Sequence, residues 1–327
     1  MRIDTHVHIV GNGLTGSGCS LNVQNLYHRV LARYMLHLLK LPPSIIKGAL
    51  DQTYVELLVR WLRESSLEKI VILAHDRIYD ESGKMLHGIG SFYVPNDYVL
   101  ELARLHPEFL PAVSIHPARA DALDELERAI ESGAVMMKCL PNCHNIDCNN
   151  PKYAPFWTKM AENQIVLLAH TGGELSVPVV NRAYQNPNVL RLPLECGVTV
   201  IAAHCATASH PLDRDYTDTF IEMLTRYPNL YGDNSALNTP FRSKHYRKLL
   251  AHGVEERIVH GSDLPIPISA FWVWLRGLVS REGYQRATAE TNLLERDVVV
   301  KKALGFSEAS FSRLSTLLRI AHSKSRV

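Results

Sequence analysis

No stretch of this 327-residue chain is dominated by charge of one sign. Its 35 Lys and Arg against 33 Asp and Glu leave a formal charge of +2, without a run of like charges or a nucleic-acid-binding motif, so no nucleic-acid partner is expected. Long apolar runs are missing too. The most apolar-looking stretch, from Leu26 to Leu50, is broken by His28, Arg29, Arg33, His37, Lys40 and Pro42-Pro43, whereas a membrane helix needs about 20 apolar residues in succession. Strand-like sequence starts at Met1, leaving no room for a leader, and the expectation is a soluble, cytoplasmic protein with no membrane partner. Cysteine is sparse. Six in the whole chain read as reduced thiols rather than as a disulfide framework. Cys139, Cys143, His144 and Cys148 lie close in sequence, but their spacing matches no pair-of-pairs zinc motif, and loop thiols are expected.

What is present is a recurring unit. Apolar, β-branched runs appear at Met1–His8, Ile70–His75, Pro111–His116, Ala134–Lys138, Gln164–His170, Val198–His204, Asn229–Asp233 and Arg257–Asp263. Near-continuous apolar strands imply a sheet covered on both faces, and their alternation with amphipathic segments implies parallel pairing. Asn96–His106, Asp121–Gly133 and Phe220–Tyr227 carry helical spacing, the first two with capping signals. Eight such units predict an α/β fold, a closed (β/α)8 TIM barrel, as one domain over 1–327. The chain exceeds the roughly 250 residues of an ordinary barrel, and the surplus falls in the first connection, Val10 to about Leu67. That segment opens with Gly11, Gly13, Gly16 and Gly18, continues as a helix around Leu26 to Leu39, turns at Pro42-Pro43, and resumes as a helix from Tyr54 to Arg63. Residues 10–50 read as a helical insertion after strand 1, either a lid over the barrel mouth or an extra packing or subunit-contact surface. A homo-oligomer is compatible with the latter. Thr288 to about His322 is expected to be helical, with Ser323–Val327 frayed.

Polar residues gather where the strands end. His6, His8, His75, His116, Lys138, His170, His204, Asp233 and Asp263 all stand at or next to the carboxyl end of a run, where barrels of this kind build their sites. Residues two apart on a strand share a face, which places Asp4, His6 and His8 together and lets the two histidines grip one metal ion. His260, three before Asp263, is expected to point the other way and to pack between strand and helix.

His6-x-His8, Lys138, His170, His204 and Asp263, in that order, resemble the amidohydrolase superfamily over nearly the whole chain. Ser114-Ile-His-Pro117, His170-Thr-Gly172 and Gly261-Ser-Asp-Leu-Pro265 are most similar to its amidohydrolase-related branch, which holds hydrolases and non-oxidative decarboxylases. The resemblance implies a distorted amidohydrolase-type barrel in which His6, His8 and Asp263 hold one divalent metal. In the binuclear form, a carbamate on Lys138 bridges to a second metal held by His170 and His204. In the mononuclear form, His170 joins the first metal and His204 contacts substrate or water. Lys138 favours the binuclear form, since an ammonium beside a dication must lose its proton, become a carbamate or turn away.

Zinc suits these ligands best, although manganese, iron, cobalt or nickel would fit. Asp263 is the expected general base and His204 a second catalytic group. Asp4 is expected either to orient a histidine by a hydrogen bond or to be a buried carboxylate satisfied by structural partners. His75, His116, Asp233, Asn234 and Arg242 are weaker candidates for substrate contact, each with a structural alternative. The expected activity is hydrolysis of a small amide, lactone, ester or phosphoester. The alternative is metal-dependent decarboxylation of a small, possibly aromatic, carboxylic acid.

Overall fold

The structure, a computed structural model, describes residues 1–23 and 26–318. The eight apolar runs form β1 (Ile3–His8), β2 (Lys69–Leu73), β3 (Phe109–Val113), β4 (Met136–Cys139), β5 (Val166–His170), β6 (Val200–Ala203), β7 (Leu230–Asp233) and β8 (Ile258–Val259). Each strand pairs in parallel with the next in sequence. The ring closes where β1 meets the end of the series: Thr5 N–H donates to His260 O at 2.9 Å and His8 N–H to Leu264 O at 2.8 Å. The expected (β/α)8 barrel is the observed one.

Inside the ring, Ile3, Val71, Leu73, Met136, Leu168 and Ile201 form one apolar cluster, and a larger cluster fills the space between strands and helices. Lys138 lies two residues after Met136 and His170 two after Leu168, so both continue the inward face to the carboxyl end of the ring.

On β1 the alternation is broken. Asp4 pairs with Ile70 and Val7 with Ile72, so three steps on β1 match two on β2, a bulge that flips the side chains beyond it. His8 is thereby set opposite inward-facing Leu73, whereas Asp4 lies opposite Ile70 of the outer cluster. The expectation that Asp4, His6 and His8 share one face is thus corrected: Asp4 lies on the far side of the bulge.

Helices form the outer layer with small shifts from the sequence reading: Asn96–Leu105, Ala122–Glu131 and Thr217–Arg226. Asn96 does not cap its helix; its amide oxygen accepts from Ser114 N–H and its amide nitrogen donates to Glu125. The C-terminal stretch is helical as expected over its described part, as two helices, Leu293–Leu304 and Glu308–Leu317, preceded by Arg281–Ala289. Asn292 caps the helix Leu293–Leu304, and Gly305, in the left-handed conformation (φ 101°), ends it. The part of that expectation beyond residue 318 lies outside the described residues. Among the described residues no helix is long and apolar enough to cross a membrane.

The first connection holds α1 (Leu26–Leu38), a 3-10 turn at Pro43–Lys47 and α2 (Leu50–Arg63). Ser20–Leu21 pairs antiparallel with Phe92–Tyr93. α2 takes the ring position, burying Tyr54, Leu58, Trp61 and Leu62, with Trp61 O accepting from Asn292 at 2.7 Å. The glycine-rich start is fastened: the Asp51 carboxylate accepts Gly13 N–H at 3.1 Å and the Thr15 hydroxyl at 2.9 Å. At Gly11 a Cβ would fall 1.7 Å from that carboxylate, so only glycine lets the chain pass.

Candidate metal centre

Three ligand atoms converge at the end of β1 and just after β8. His6 Nε2 lies 3.2 Å from His8 Nε2 and 3.1 Å from Asp263 Oδ1, and His8 Nε2 lies 3.2 Å from the same oxygen. Ligands about 2.0–2.1 Å from a tetrahedral ion stand roughly 3.3 Å apart, so this triangle has the size of one face of a zinc coordination shell. The backbone builds it: Asp263 takes a left-handed conformation (φ 66°), and its N–H donates to His6 O at 2.8 Å.

The tautomer of His6 is fixed from behind. Its Nδ1 sits 2.8 Å from Asp233 Oδ2, both side chains fully buried. A carboxylate only accepts, so Nδ1 carries the proton and Nε2 turns a lone pair to the triangle. Asp233 Oδ1 accepts His204 N–H at 2.7 Å and Ser235 N–H at 3.1 Å. His204, Cys205 and Ala206 all have positive φ, 60°, 49° and 58°, a run that costs on the order of 1–3 kcal/mol per residue unless its surroundings impose it. Asp233 is one of those surroundings. His204 Nδ1 is 3.1 Å from Ser235 O, which makes it the protonated nitrogen and leaves Nε2 as an acceptor, 3.9 Å from Asp263 Oδ2. A second possible ligand group, His6, His204 and Asp233, requires the Nδ1 that Asp233 already holds, so His6, His8 and Asp263 are the better centre.

Lys138, 1% exposed, places Nζ 2.9 Å from His6 Nε2. Burial pushes its pKa down, against the pull of Asp263 and Asp233. Burial also lowers the histidines, His8 to about 3 and His6, His170 and His204 well below the usual imidazole range, with the Lys138 charge adding to the shift on the first three and that of Arg242 on His204. All four are neutral at pH 7, the state that binds metal. Burial pushes Asp263 up to about 7.

The sequence reading passed over Glu174. One carboxylate oxygen accepts the N–H groups of Ser176 and Val177; the other faces His170 Nε2 at 3.4 Å. Burial raises its pKa. Gly172 (φ 75°) and Gly173 make this turn possible, since a Cβ would meet Thr207 O at 2.4 Å in the first case and Asp213 Oδ2 at 1.9 Å in the second. The signal was the phrase His170-Thr-Gly-Gly-Glu174: two glycines folding the chain back one turn after a strand-end histidine.

The other candidates have structural partners. Asp4 Oδ1 accepts the backbone N–H of His6 at 3.0 Å and of Ser262 at 2.9 Å; it positions main chain, while Asp233 orients the His6 ring. Asn234 Oδ1 accepts Gly261 N–H at 3.1 Å. Arg242 is buried, contrary to the alternative of a solvated side chain, because Thr207 O, Thr207 Oγ1 and Gly173 O take its donors at 2.7, 2.9 and 2.6 Å. His75 stacks on Phe92 and meets His144 Nε2 at 3.1 Å. His116 contacts His144 O at 3.0 Å. Neither His75 nor His116 lines the cavity described next. His260 packs on Phe311, and its strand is backed by the buried Lys301–Asp297 pair. Cys139, Cys143 and Cys148 are buried thiols, and among the described residues they join no candidate metal group.

Above the triangle lies a cavity of about 170 Å³. His8, Lys138, His170, Glu174, His204 and Asp263 line one side. Apolar residues of the first connection, Leu31, Met35, Leu36, Leu39 and Ile46 among them, line the other. Tyr54 of α2 lines it too, with its hydroxyl buried and unpartnered among the described residues; at sequence level it reads only as one apolar position of a helix.

Comparison with known proteins adds the family context. The amidohydrolase family model matches residues 87–293. An uncharacterised TIM-barrel protein from Bordetella bronchiseptica is 19% identical, with a TM-score of 0.61 over 97% of this chain and 99% of its own. A probable 2-pyrone-4,6-dicarboxylic acid hydrolase from Acinetobacter baumannii is 13% identical, with a TM-score of 0.52 over 93% and 99%. Amidohydrolase 2 from Bifidobacterium longum subsp. infantis is 14% identical, with a TM-score of 0.50 over 97% and 98%. At these identities the structures share the fold. No curated protein matches the sequence.

Proposed function

This chain belongs to the amidohydrolase family, which includes hydrolases, hydratases and decarboxylases, and on that premise we propose that it is a metal-dependent hydrolase of a small ester, lactone or amide. The observation that carries the reading is the triangle of His6 Nε2, His8 Nε2 and Asp263 Oδ1 at the cavity floor. His6, His8 and Asp263 would hold a divalent ion, zinc by the nitrogen and oxygen donor set. Such an ion supplies a nucleophilic water at neutral pH and polarises the substrate carbonyl.

The chain's own groups complete the chemistry. Asp263 Oδ2, free of the triangle, accepts the proton of the attacking water and returns it to the leaving group. His204 Nε2 presents a lone pair beside that oxygen and steadies the proton in transit. The Glu174 carboxyl faces His170 Nε2 at 3.4 Å, and both side chains line the cavity. Lys138 loses its proton or takes up carbon dioxide as a carbamate, releasing a proton to solvent; in the second case its carbamate oxygens, with His170 and His204, would hold a second ion. Segment 10–50 serves as the lid, excluding water once substrate is seated.

Hydrolysis is preferred to decarboxylation because of what surrounds the centre. A decarboxylase must hold an anionic substrate, yet among the described residues no arginine lines the cavity and Lys138 is its one lysine; Arg242 directs both Nη atoms to Thr207 and Gly173. The deciding experiment loads the chain with zinc, counts metal per chain, looks for a Lys138 carbamate by NMR after growth with labelled bicarbonate, and runs turnover in oxygen-18 water. Label entering the product supports hydrolysis; carbon dioxide release without label replaces it with decarboxylation.

A further inference from the structure

The two sides of the cavity differ in kind. Beyond the metal-site residues, its lining is mostly hydrocarbon: Leu31, Ala32, Met35 and Leu36 of α1 form one helical stripe, continued by Leu39 and Ile46, while Asn22, His28, Tyr54, Ser91 and Ser176 supply the polar groups. Of the basic residues of α1, Arg29, Arg33 and His37 are exposed, and His28 lines the cavity. Apart from Lys138 on the floor, neither Lys nor Arg lines the cavity among the described residues, and its two carboxylates, Glu174 and Asp263, belong to the polar side.

A substrate with a second charge against this stripe would meet leucine and methionine with no lysine or arginine beside it among the described residues, and an unpaired buried charge is among the costliest things a protein can hold. A hydrocarbon group in the same place gains about 0.8 kcal/mol for each methylene buried. Size sets a further limit, for an engineered apolar cavity of about 150 Å³ in another protein holds one benzene, and the volume here is about 170 Å³.

We propose that the non-reacting part of the substrate is an uncharged hydrocarbon body of about six carbons, seated against α1. The substrate class is then a neutral, lipophilic ester, lactone or amide rather than a dicarboxylate or a sugar derivative. This rests on the hydrolytic reading above for the reacting group, but the binding preference is a property of α1 and is measured separately.

The zinc-loaded protein is titrated calorimetrically with alkyl hydroxamic acids, whose head binds metal without being hydrolysed, from acetyl to decanoyl, and with the same chains ending in a carboxylate. Affinity is expected to rise about fourfold per methylene, which is about 0.8 kcal/mol converted at room temperature, and to level off near hexanoyl. The terminally carboxylated six-carbon homologue is expected to bind at least 100-fold more weakly than hexanoyl. In Ala32→Phe the plateau should move at least two carbons shorter. Leu31→Glu, at a half-buried helix position that tolerates charge, should erase the chain-length gain and serves if the first variant does not fold. A flat series, equal binding of the carboxylated chains, or no binding by any member overturns the proposal. Parallel assays with alkyl-substituted γ-lactones and simple alkyl esters separate the two ideas. A rising hydroxamate series without hydrolysis refutes the hydrolase and keeps the apolar site; hydrolysis indifferent to chain length refutes only the apolar site.

Discussion

Asp233 Oδ2 stands 2.8 Å from His6 Nδ1, and neither side chain touches solvent. This one contact decides which His6 nitrogen can bind metal, and the other oxygen of the same carboxylate holds the strained backbone at His204. Asp233→Asn is expected to lower zinc affinity 10- to 100-fold, as removal of a ligand's supporting carboxylate does elsewhere. Competition with a fluorescent chelator measures it, and unchanged affinity would show that His6 needs no such support.

Asp263 sets the response to pH. Burial raises its folded pKa to about 7, above the ordinary 3.8, so its carboxylate opposes folding of the metal-free chain. That penalty is absent below about pH 4, grows as pH rises towards 7, and is complete above. A bound cation reverses it. Zinc should therefore raise the unfolding temperature much more at pH 8 than at pH 5, as thermal scans with and without metal would show; an equal rise at both values would remove Asp263 from the ligand set.

Arg242 joins the loops after β5 and β6 through Gly173 O and Thr207 O. Arg242→Met strands these buried acceptors and is expected to cost about 3 kcal/mol in urea unfolding. Arg242→Lys should recover less than half of that loss, because a single ammonium cannot reproduce the planar fork.

Tyr54 separates stability from function. Its buried hydroxyl has no partner among the described residues, so Tyr54→Phe should leave stability within about 0.5 kcal/mol of the parent. If the hydroxyl meets the substrate oxygen as charge develops there, kcat/KM falls about 10- to 100-fold. Loss of stability without loss of turnover would make it a packing residue.

Lys301 and Asp297 form a fully buried ion pair against β8, with Lys301 also donating to Gly261 O. Lys301→Met alone leaves an uncompensated carboxylate and should cost about 3–5 kcal/mol, whereas the double variant Lys301→Met/Asp297→Leu should regain most of it. A double-mutant cycle in urea gives the coupling, and additive losses would contradict it.

The barrel was legible because its signals are local: apolar runs, helical spacing and strand-end histidines each sit within a few residues, and parallel βα units admit few arrangements. The positions of His6, His8, Lys138, His170, His204 and Asp263 at strand ends followed from the same logic. Asp4 did not follow, because a bulge is a misfit between β1 and β2 and leaves no mark on β1 alone. Glu174 was missed because its value lies in a turn that brings it back to His170.

The sequence by itself determined the order of elements and which side chains end the strands, since periodicity and chain direction are properties of the chain. Tertiary structure alone decided that Asp233 rather than Asp4 holds the His6 ring, that Arg242 is buried between two loops, and that α1 turns leucines towards the centre. Each depends on a distance between segments far apart in sequence, and such distances exist only after the ring has closed and the residues compete for the same space.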